Sequence, residues 1–270
     1  MTNTEISAGL VKQLRDLTGA GMMDCKRALQ EANGDLEEAR RILREKGMAS
    51  AAKRAGRETT EGRVETRVDG ATGVIVGVGC ETEPVSKNDE FRAFVARVAD
   101  ADEQEGAEAV ASLDEERQEL SGRLGENIAL VGAARYEAAA GQSLSSYVHP
   151  PANKIGVLVQ LEGGSDELAR QLAMHISFAA PEWTTRADVP AEVVEAERQI
   201  YLSSDEVQSK PEAAREKIVD GMLGKRFFAA SPGGVLLDQP WIHDAGQTVG
   251  KALEQAGAAV VAFARVSVAG

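Results

Sequence analysis

The chain has 270 residues, with 30 Lys+Arg against 43 Asp+Glu and a formal net charge of -13. That length admits two or three domains, and the acidic balance argues against a general nucleic-acid binder, which neutralises phosphates with clustered Lys and Arg. Cys25 and Cys80 are the only cysteines and lie in no CxxC or disulfide-like spacing, which suits a reducing cytosol.

Ile6, Leu10, Val11, Leu14 and Leu17 recur at the helical period and leave Lys12 and Arg15 together on the opposite, wet face. Gly19 and Gly21 stop that helix. A second helix is expected over residues 22–32, burying Ala28 and Leu29, with Asn33-Gly34 supplying the left-handed residue at its end. Asp35 is placed to cap a third helix whose inner face holds Leu36, Ala39, Ile42 and Leu43, and Gly47 is expected to end it. Three helices of about ten residues cannot stand alone, so residues 1–47 read as a three-helix docking module that buries these stripes against one another. Met22 and Met23 are adjacent and point about 100° apart, so they cannot both face such a core. Either Met22 fills a gap and Met23 is incidental, or the pair forms an adaptable apolar contact flanked by Lys12 and Arg15, suited to a partner helix.

Residues 48–61 read as a linker, helical or flexible. Alternation over 63–68, the Asp69-Gly70 turn and the Val- and Ile-rich run 73–80 predict a β-hairpin. A helix over 89–99 follows, then an acidic segment 100–126 with 10 Asp+Glu and 2 Arg, where Leu113, Leu120 and Leu124 allow a helix. A strand over 129–136 completes a first subdomain, 62–140.

The second subdomain, 141–270, repeats this grammar. It has a strand at 155–161, a Gly163-Gly164 turn, and a helix at 167–179 with Leu168, Leu172, Met174 and Ile176 inward in part. A short strand at 235–238, a helix at 249–256 and a last strand at 259–268 follow. Two charged helices, 189–202 and 212–223, form an inserted helical hairpin within 186–225, where Val193, Val194, Ile200 and Tyr201 can meet Ile218, Met222 and Leu223. The expected fold class is α+β: a three-helix bundle, then two related antiparallel sheet-and-helix subdomains, the second carrying the hairpin.

Charge is uneven along this plan. Residues 1–67 hold 13 Lys+Arg and 11 Asp+Glu, net +2, leaving 17 against 32, net -15, for the remainder. The basic stretch 40–67 reads as solvated helix and linker, not as an RNA site. The N-terminus carries Glu5 and no continuous apolar run, so it does not read as a secretory signal, and no segment approaches the roughly 18 uncharged apolar residues of a membrane helix. A cytoplasmic protein without membrane contact is expected.

Catalytic chemistry has no visible seat, so the chain is not expected to be an enzyme. A P-loop needs Gly, four residues, then Gly-Lys-Ser/Thr. Gly224-Lys225 is followed by Arg226, with Val219 where the first Gly belongs, and Gly250-Lys251 is followed by Ala252, with Ala245 at that place. Gly77-Val78-Gly79 lacks a third glycine at Thr82 and is no dinucleotide fingerprint. His149, His175 and His243 lack metal-ligand spacing, and on residues alone His175 reads as a satisfied or solvent-facing histidine. No cofactor or metal is expected.

The string TGAGMMDCKRALQEANGD at 18–35 closely resembles the N-terminal signature of bacterial elongation factor Ts, the family of guanine nucleotide exchange factors for elongation factor Tu. CETEPVSKNDEF at 80–91 and LAMHISFAAP at 172–181 extend the likeness over most of the chain, and the first module also resembles ubiquitin-associated domains. The resemblance implies a translation elongation factor that binds the GDP form of elongation factor Tu. It would promote GDP release by disturbing the magnesium and phosphate-binding region, without binding nucleotide or nucleic acid itself. Lys12, Arg15, Met22 and Met23 match family positions that face a helix of the GTPase, and His175 matches a histidine that contacts it. Thr82, Glu83, Pro84 and Val85 match the family's magnesium-dislocating Thr-Asp-Phe-Val motif. The acidic position is kept in kind, but Pro84 replaces the aromatic wedge with a rigid ring of smaller apolar area. Without the resemblance, Glu83-Pro84 reads as a strand end. The family's hairpin serves dimerisation; a hairpin that binds nothing is the alternative here. Some relatives add a C-terminal module that binds the GTPase; with none expected after the last strand, the Lys12, Arg15 and Met23 face is expected to carry a large share of affinity. A ubiquitin-associated-like adaptor would account for residues 1–47 alone, and an α+β enzyme would account for the sheets but supply no catalytic constellation.

Overall fold

The computed structural model describes residues 6–268. Its elements run α1 (Ala8–Thr18), α2 (Met22–Glu31), α3 (Leu36–Arg54), β1 (Glu61–Asp69), β2 (Thr72–Cys80), α4 (Glu83–Ser86), α5 (Asp89–Glu105), α6 (Ala107–Ser112), α7 (Asp114–Leu124) and β3 (Ala129–Glu137). They continue with β4 (Gln142–Val148), β5 (Ile155–Glu162), α8 (Asp166–Ala179), α9 (Ala191–Ser203), α10 (Asp205–Gln208), α11 (Glu212–Met222), β6 (Pro240–Trp241), β7 (Asp244–Thr248), α12 (Val249–Gln255) and β8 (Ala259–Ser267). The fold class is α+β, as expected.

Local signals build the N-terminal module. Ser7 Oγ accepts from Leu10 N at 3.2 Å and starts α1. At the end of α2, Gly34 N donates to Leu29 O at 2.8 Å and Asn33 N to Gln30 O at 3.3 Å, with φ of 89° and 50° at Gly34 and Asn33, a two-bond left-handed stop. Asp35 Oδ1 accepts from Glu38 N at 2.9 Å and opens α3. Leu14, Cys25, Ala28, Leu29 and Ala39 close a small core with Val11 and Ile42.

Gly47 does not end α3, which continues to Arg54. The close approach there rests on Gly122 of α7, where a Cβ would stand 2.9 Å from Gly47 Cα, whereas a Cβ on Gly47 would lie at an ordinary 3.9 Å from Gly122 Cα. The cost of an interior helical glycine, about 1 kcal/mol, is offset by packing on α7. Arg44 Nε lies 2.7 Å from Glu119, and Arg54 Nη1 donates to Ser121 O at 3.2 Å across the same contact.

Two antiparallel sheets follow, ordered β1-β2-β3 and β4-β5-β8. The central strands β2 and β5 are buried along most of their length, which is why they read as apolar runs and not as alternation. Phe91, Phe94, Val95 and Val98 of α5 cover Val76 and Val78 on the outer face of the first sheet. Leu172, Ala173 and Ile176 of α8 cover Val157, Val159 and Leu161 of the second. The inner faces meet through Val64, Ile75, Leu158, Val266 and Val268, giving four layers, helix, sheet, sheet, helix. A side chain at Gly77 would overlap Val266 at this junction, and Gly77 therefore serves sheet packing.

Two other expectations are corrected, and one strand, β4, had gone unread. Residues 235–238 are not a strand: Val235 makes one parallel bridge with Trp183, and Leu236–Asp238 then turn as a 3-10 helix because Asp238 N bonds back to Val235 O. β4, with its sequence QSLSSYV, is a half-buried edge strand whose serines gave no apolar signal. In the helical hairpin, Val194, Tyr201, Leu202 and Ile218 pack on Val219, Met222 and Leu223, but Ile200 faces solvent. Val207, from the connection between the two helices, fills the place instead, and Arg198 spans the helices to Glu216 at 3.2 Å and Asp220 at 2.8 Å.

Candidate functional site

The turn between α1 and α2 is locked from within. Thr18 Oγ1 donates to Leu14 O at 2.7 Å and accepts from Ala20 N at 3.3 Å, while Gly19 takes φ 67°. The buried Cys25 thiol donates to Ala20 O at 3.6 Å, and burial pushes its pKa up, which keeps it a donor. With the turn fixed by Thr18, Gly19 and Cys25, its large side chains are left outside. Met22 and Met23 are 57% and 63% exposed, so Met22 is not the gap filler, because α2 faces inward with Cys25, Ala28 and Leu29. Leu17, expected inward, is 61% exposed, and Thr18 takes the last inward place of α1. Lys12 and Arg15 are exposed as well, Arg15 lying 3.5 Å from Asp16. Three apolar side chains thus stand exposed at this turn, with Arg15 and Lys12 exposed one and two helical turns back along α1, a composition suited to a contact surface.

Residues 82–85 are neither an open loop nor a plain strand end. Glu83 to Ser86 form one helical turn, α4, with Pro84 in its first positions, where the missing N–H leaves nothing unpaired. Thr82, Glu83 and Pro84 are exposed, and Val85 is half-buried against the α5 core. Lys87 lies 2.7 Å from Glu83 and holds its carboxyl below the ordinary range.

The backbone of this turn is held from far along the chain. Glu126 Oε2 accepts from Glu81 N and Thr82 N, each at 3.0 Å, and Glu126 Oε1 accepts from the Thr82 hydroxyl. Thr82 occupies the N-cap position of α4 yet makes no cap bond, since its side chain is committed to Glu126. Asn127 N donates to Glu81 Oε1 at 2.6 Å, and Asn127 Nδ2 to Arg57 O at 2.7 Å. Cys80 donates to Thr82 O at 3.4 Å, its thiol pushed up to about 12, chiefly by burial. Sequence reasoning missed Glu126 and Asn127; the only trace was a Gly-Glu-Asn after an acidic helix, with nothing local to say what it holds.

His175 does not join these surfaces. It is fully buried in α8, its Nε2 2.9 Å from Gln239 Oε1 and its ring centroid 5.2 Å from that of Trp241. Ile242 N donates to Nδ1 at 3.4 Å, so Nε2 carries the proton and donates to Gln239, whose own Nε2 donates to Ala230 O at 2.9 Å. Burial lowers the pKa of His175, which favours this neutral form. Its neighbour Phe178 is the exposed side chain of that segment.

Among the described residues no group of three or more His, Cys, Asp or Glu is placed to hold a metal ion, and no helix is long and apolar enough to cross a membrane. The basic residues of 40–67 are largely spent internally, Arg41 on Glu38 and Glu45, Arg57 on Glu81, and Arg67 on Glu65.

The profile of the family described as Elongation factor TS matches residues 81–270. Elongation factor Ts of Alkalilimnicola ehrlichii is 42% identical over 275 residues, covering 97% of this chain and 92% of the relative. The Methylococcus capsulatus protein of the same name is 41% identical over 278 residues with the same coverage, and that of Escherichia coli O139:H28 41% over 268 residues, covering 98% and 92%. This chain belongs to the elongation factor Ts family.

Proposed function

We propose that the protein is a translation factor that releases GDP from elongation factor Tu through two separate surfaces. The α1–α2 turn, with Lys12, Arg15, Met22 and Met23, docks on a helix of the GTPase. The α4 turn, led by Thr82, Glu83 and Pro84, enters the region that holds magnesium and phosphate and stabilises a displaced arrangement there.

Such a device needs no nucleotide site of its own. A GTPase grips its nucleotide through phosphate-binding loop, magnesium and switch segments, so a partner that binds a displaced arrangement more tightly lowers nucleotide affinity. Linkage makes this reciprocal: nucleotide rebinding weakens the factor by the same ratio, and the factor is released to act again. The observation that carries this reading is the start of the α4 turn, where three hydrogen bonds hold the backbone of Glu81 and Thr82 and two more hold their side chains, while Thr82, Glu83 and Pro84 stay exposed. A proline at the tip has little conformational freedom to lose on insertion.

His175 is assigned an indirect part, ordering Gln239 and the chain end of α8, since the free protein offers no surface at its ring. The test is stopped-flow release of a fluorescent GDP analogue from elongation factor Tu of the same cell. The parent should accelerate release, and a Pro84→Gly, Glu83→Ala variant should lose most of that acceleration at saturating concentration. A variant as fast as the parent would contradict the role given to the α4 turn.

A further inference from the structure

We propose that Glu126 is the positioning residue of the exchange reaction: it fixes the α4 turn to the helix on which the docking module rests. This rests on the exchange reading above and names the group that makes the turn effective.

The geometry is specific. Glu126 lies in the link between α7 and β3, and both its carboxylate oxygens are used on one short stretch, 44 to 45 residues upstream. Two backbone N–H groups and one hydroxyl donate to it, and bonds to an ionised acceptor are stronger and more directional than neutral ones. Asn127 adds a fourth link through Glu81 and a fifth to the linker at Arg57. The same link is tied back to α7, because the Ser121 hydroxyl donates to Glu126 O. One residue further, Gly122 meets Gly47 of α3. A continuous set of contacts therefore runs from the docking module through α3, α7 and Glu126 to the α4 turn.

Thr82 shows what Glu126 prevents. A threonine at an N-cap ordinarily turns its oxygen onto the helix's own N–H groups, and here that bond is absent, the side chain being turned instead toward Glu126, to which it donates. Removing the carboxylate frees Thr82 to cap α4 and leaves the N–H groups of Glu81 and Thr82 without their protein acceptor. The turn then moves relative to a docked module that has not moved. Glu126 itself is half-buried beneath the turn, so its loss should alter the rate of release within the complex and not the strength of docking. A misplacement of about 1 Å is enough to cost a large factor in a step that depends on orientation.

The experiment measures GDP release as a function of factor concentration for the parent, Glu126→Ala and Glu126→Gln, with amide hydrogen exchange at Glu81 and Thr82 followed in each free protein. The maximal release rate of Glu126→Ala should fall about tenfold, with the half-saturating concentration within about twofold of the parent. Glu126→Gln should restore most of the rate, because its amide oxygen can accept both backbone N–H groups while its NH2 faces the Thr82 oxygen. The two amides should exchange fast only in the alanine variant. The proposal is overturned if Glu126→Ala keeps the parental maximal rate, if only its half-saturating concentration changes, or if glutamine is as slow as alanine. A parent that leaves GDP release unchanged would overturn the exchange reading and this inference with it, whereas an active parent with an equally active alanine variant overturns this inference alone.

Discussion

The docking module and the α4 turn are held in opposite ways. Residues 6–54 close on themselves through caps, a left-handed stop and a core of Leu14, Cys25 and Leu29, so the exposed Met22 and Met23 stand on a scaffold that local sequence builds. Residues 80–86 have almost no core of their own and take their shape from Glu126 and Asn127, more than forty positions away. A module whose core is built locally can present side chains at its outer turn while the far end of α3 ties it to α7, which suits anchoring. A turn clamped to a distant element transmits that element's position, which suits action at a fixed distance from the anchor.

The largest expected effect comes from breaking the module's self-support. Leu14→Ala removes a fully buried side chain from a core of few members and should cost about 3 kcal/mol. Hydrogen exchange should then show α1 to α3 opening while the two sheets keep their protection. Loss of protection across both sheets would mean that the module does not support itself. Next is the join between the two regions. Gly122→Val places a side chain against Gly47 Cα and should cost about 2 kcal/mol by overpacking. It should also slow maximal GDP release in a protein that still docks, because the module and the turn lose their fixed relation.

A smaller effect on the free protein is expected at the surface. Arg15→Ala with Met23→Ala should leave the melting temperature within about 2 °C, since both side chains are exposed, yet raise the half-saturating concentration about tenfold. The smallest concerns neither region and serves as a control. His175 has a folded pKa below its ordinary 6.5, so the unfolded chain binds the proton more readily. The stability this contributes is present above pH 6.5 and is lost as pH falls from 6.5 toward the lowered folded value. Thermal melts between pH 7 and 5 should show that decline, and His175→Gln should flatten it. The docking and release parameters should keep their separation throughout.

How much of this was legible in the sequence follows from the range of the interactions. Gly19, Asn33-Gly34 and Asp35 act within five residues of themselves, so these stops and this cap could be read directly, while the Ser7 cap of α1 went unread. The apolar runs of β2 and β5 were legible for the same reason. Gly47 misled because a glycine does not by itself end a helix, and packing on α7 carries α3 through it to Arg54. Leu17 misled, and Met22 stayed open between gap filler and exposed contact, because a period assigns a face but does not say where a three-helix core runs out. β4 carries serines at an edge, where burial is too slight to impose a pattern. Of the candidate site, the exposed residues were identifiable by resemblance, whereas Glu126 was invisible because its partners lie forty-odd positions upstream. The burial of His175 likewise depends on Gln239 and Trp241, more than sixty positions downstream.

The central claim is that anchoring and release are separable. The most direct measurement is the full saturation curve of GDP release for two variants side by side, Arg15→Ala with Met23→Ala and Pro84→Gly with Glu83→Ala. The first should shift the half-saturating concentration and keep the maximal rate, and the second should lower the maximal rate and keep the half-saturating concentration. Two variants that change the same parameter by similar factors would contradict the division between an anchoring module and an acting turn.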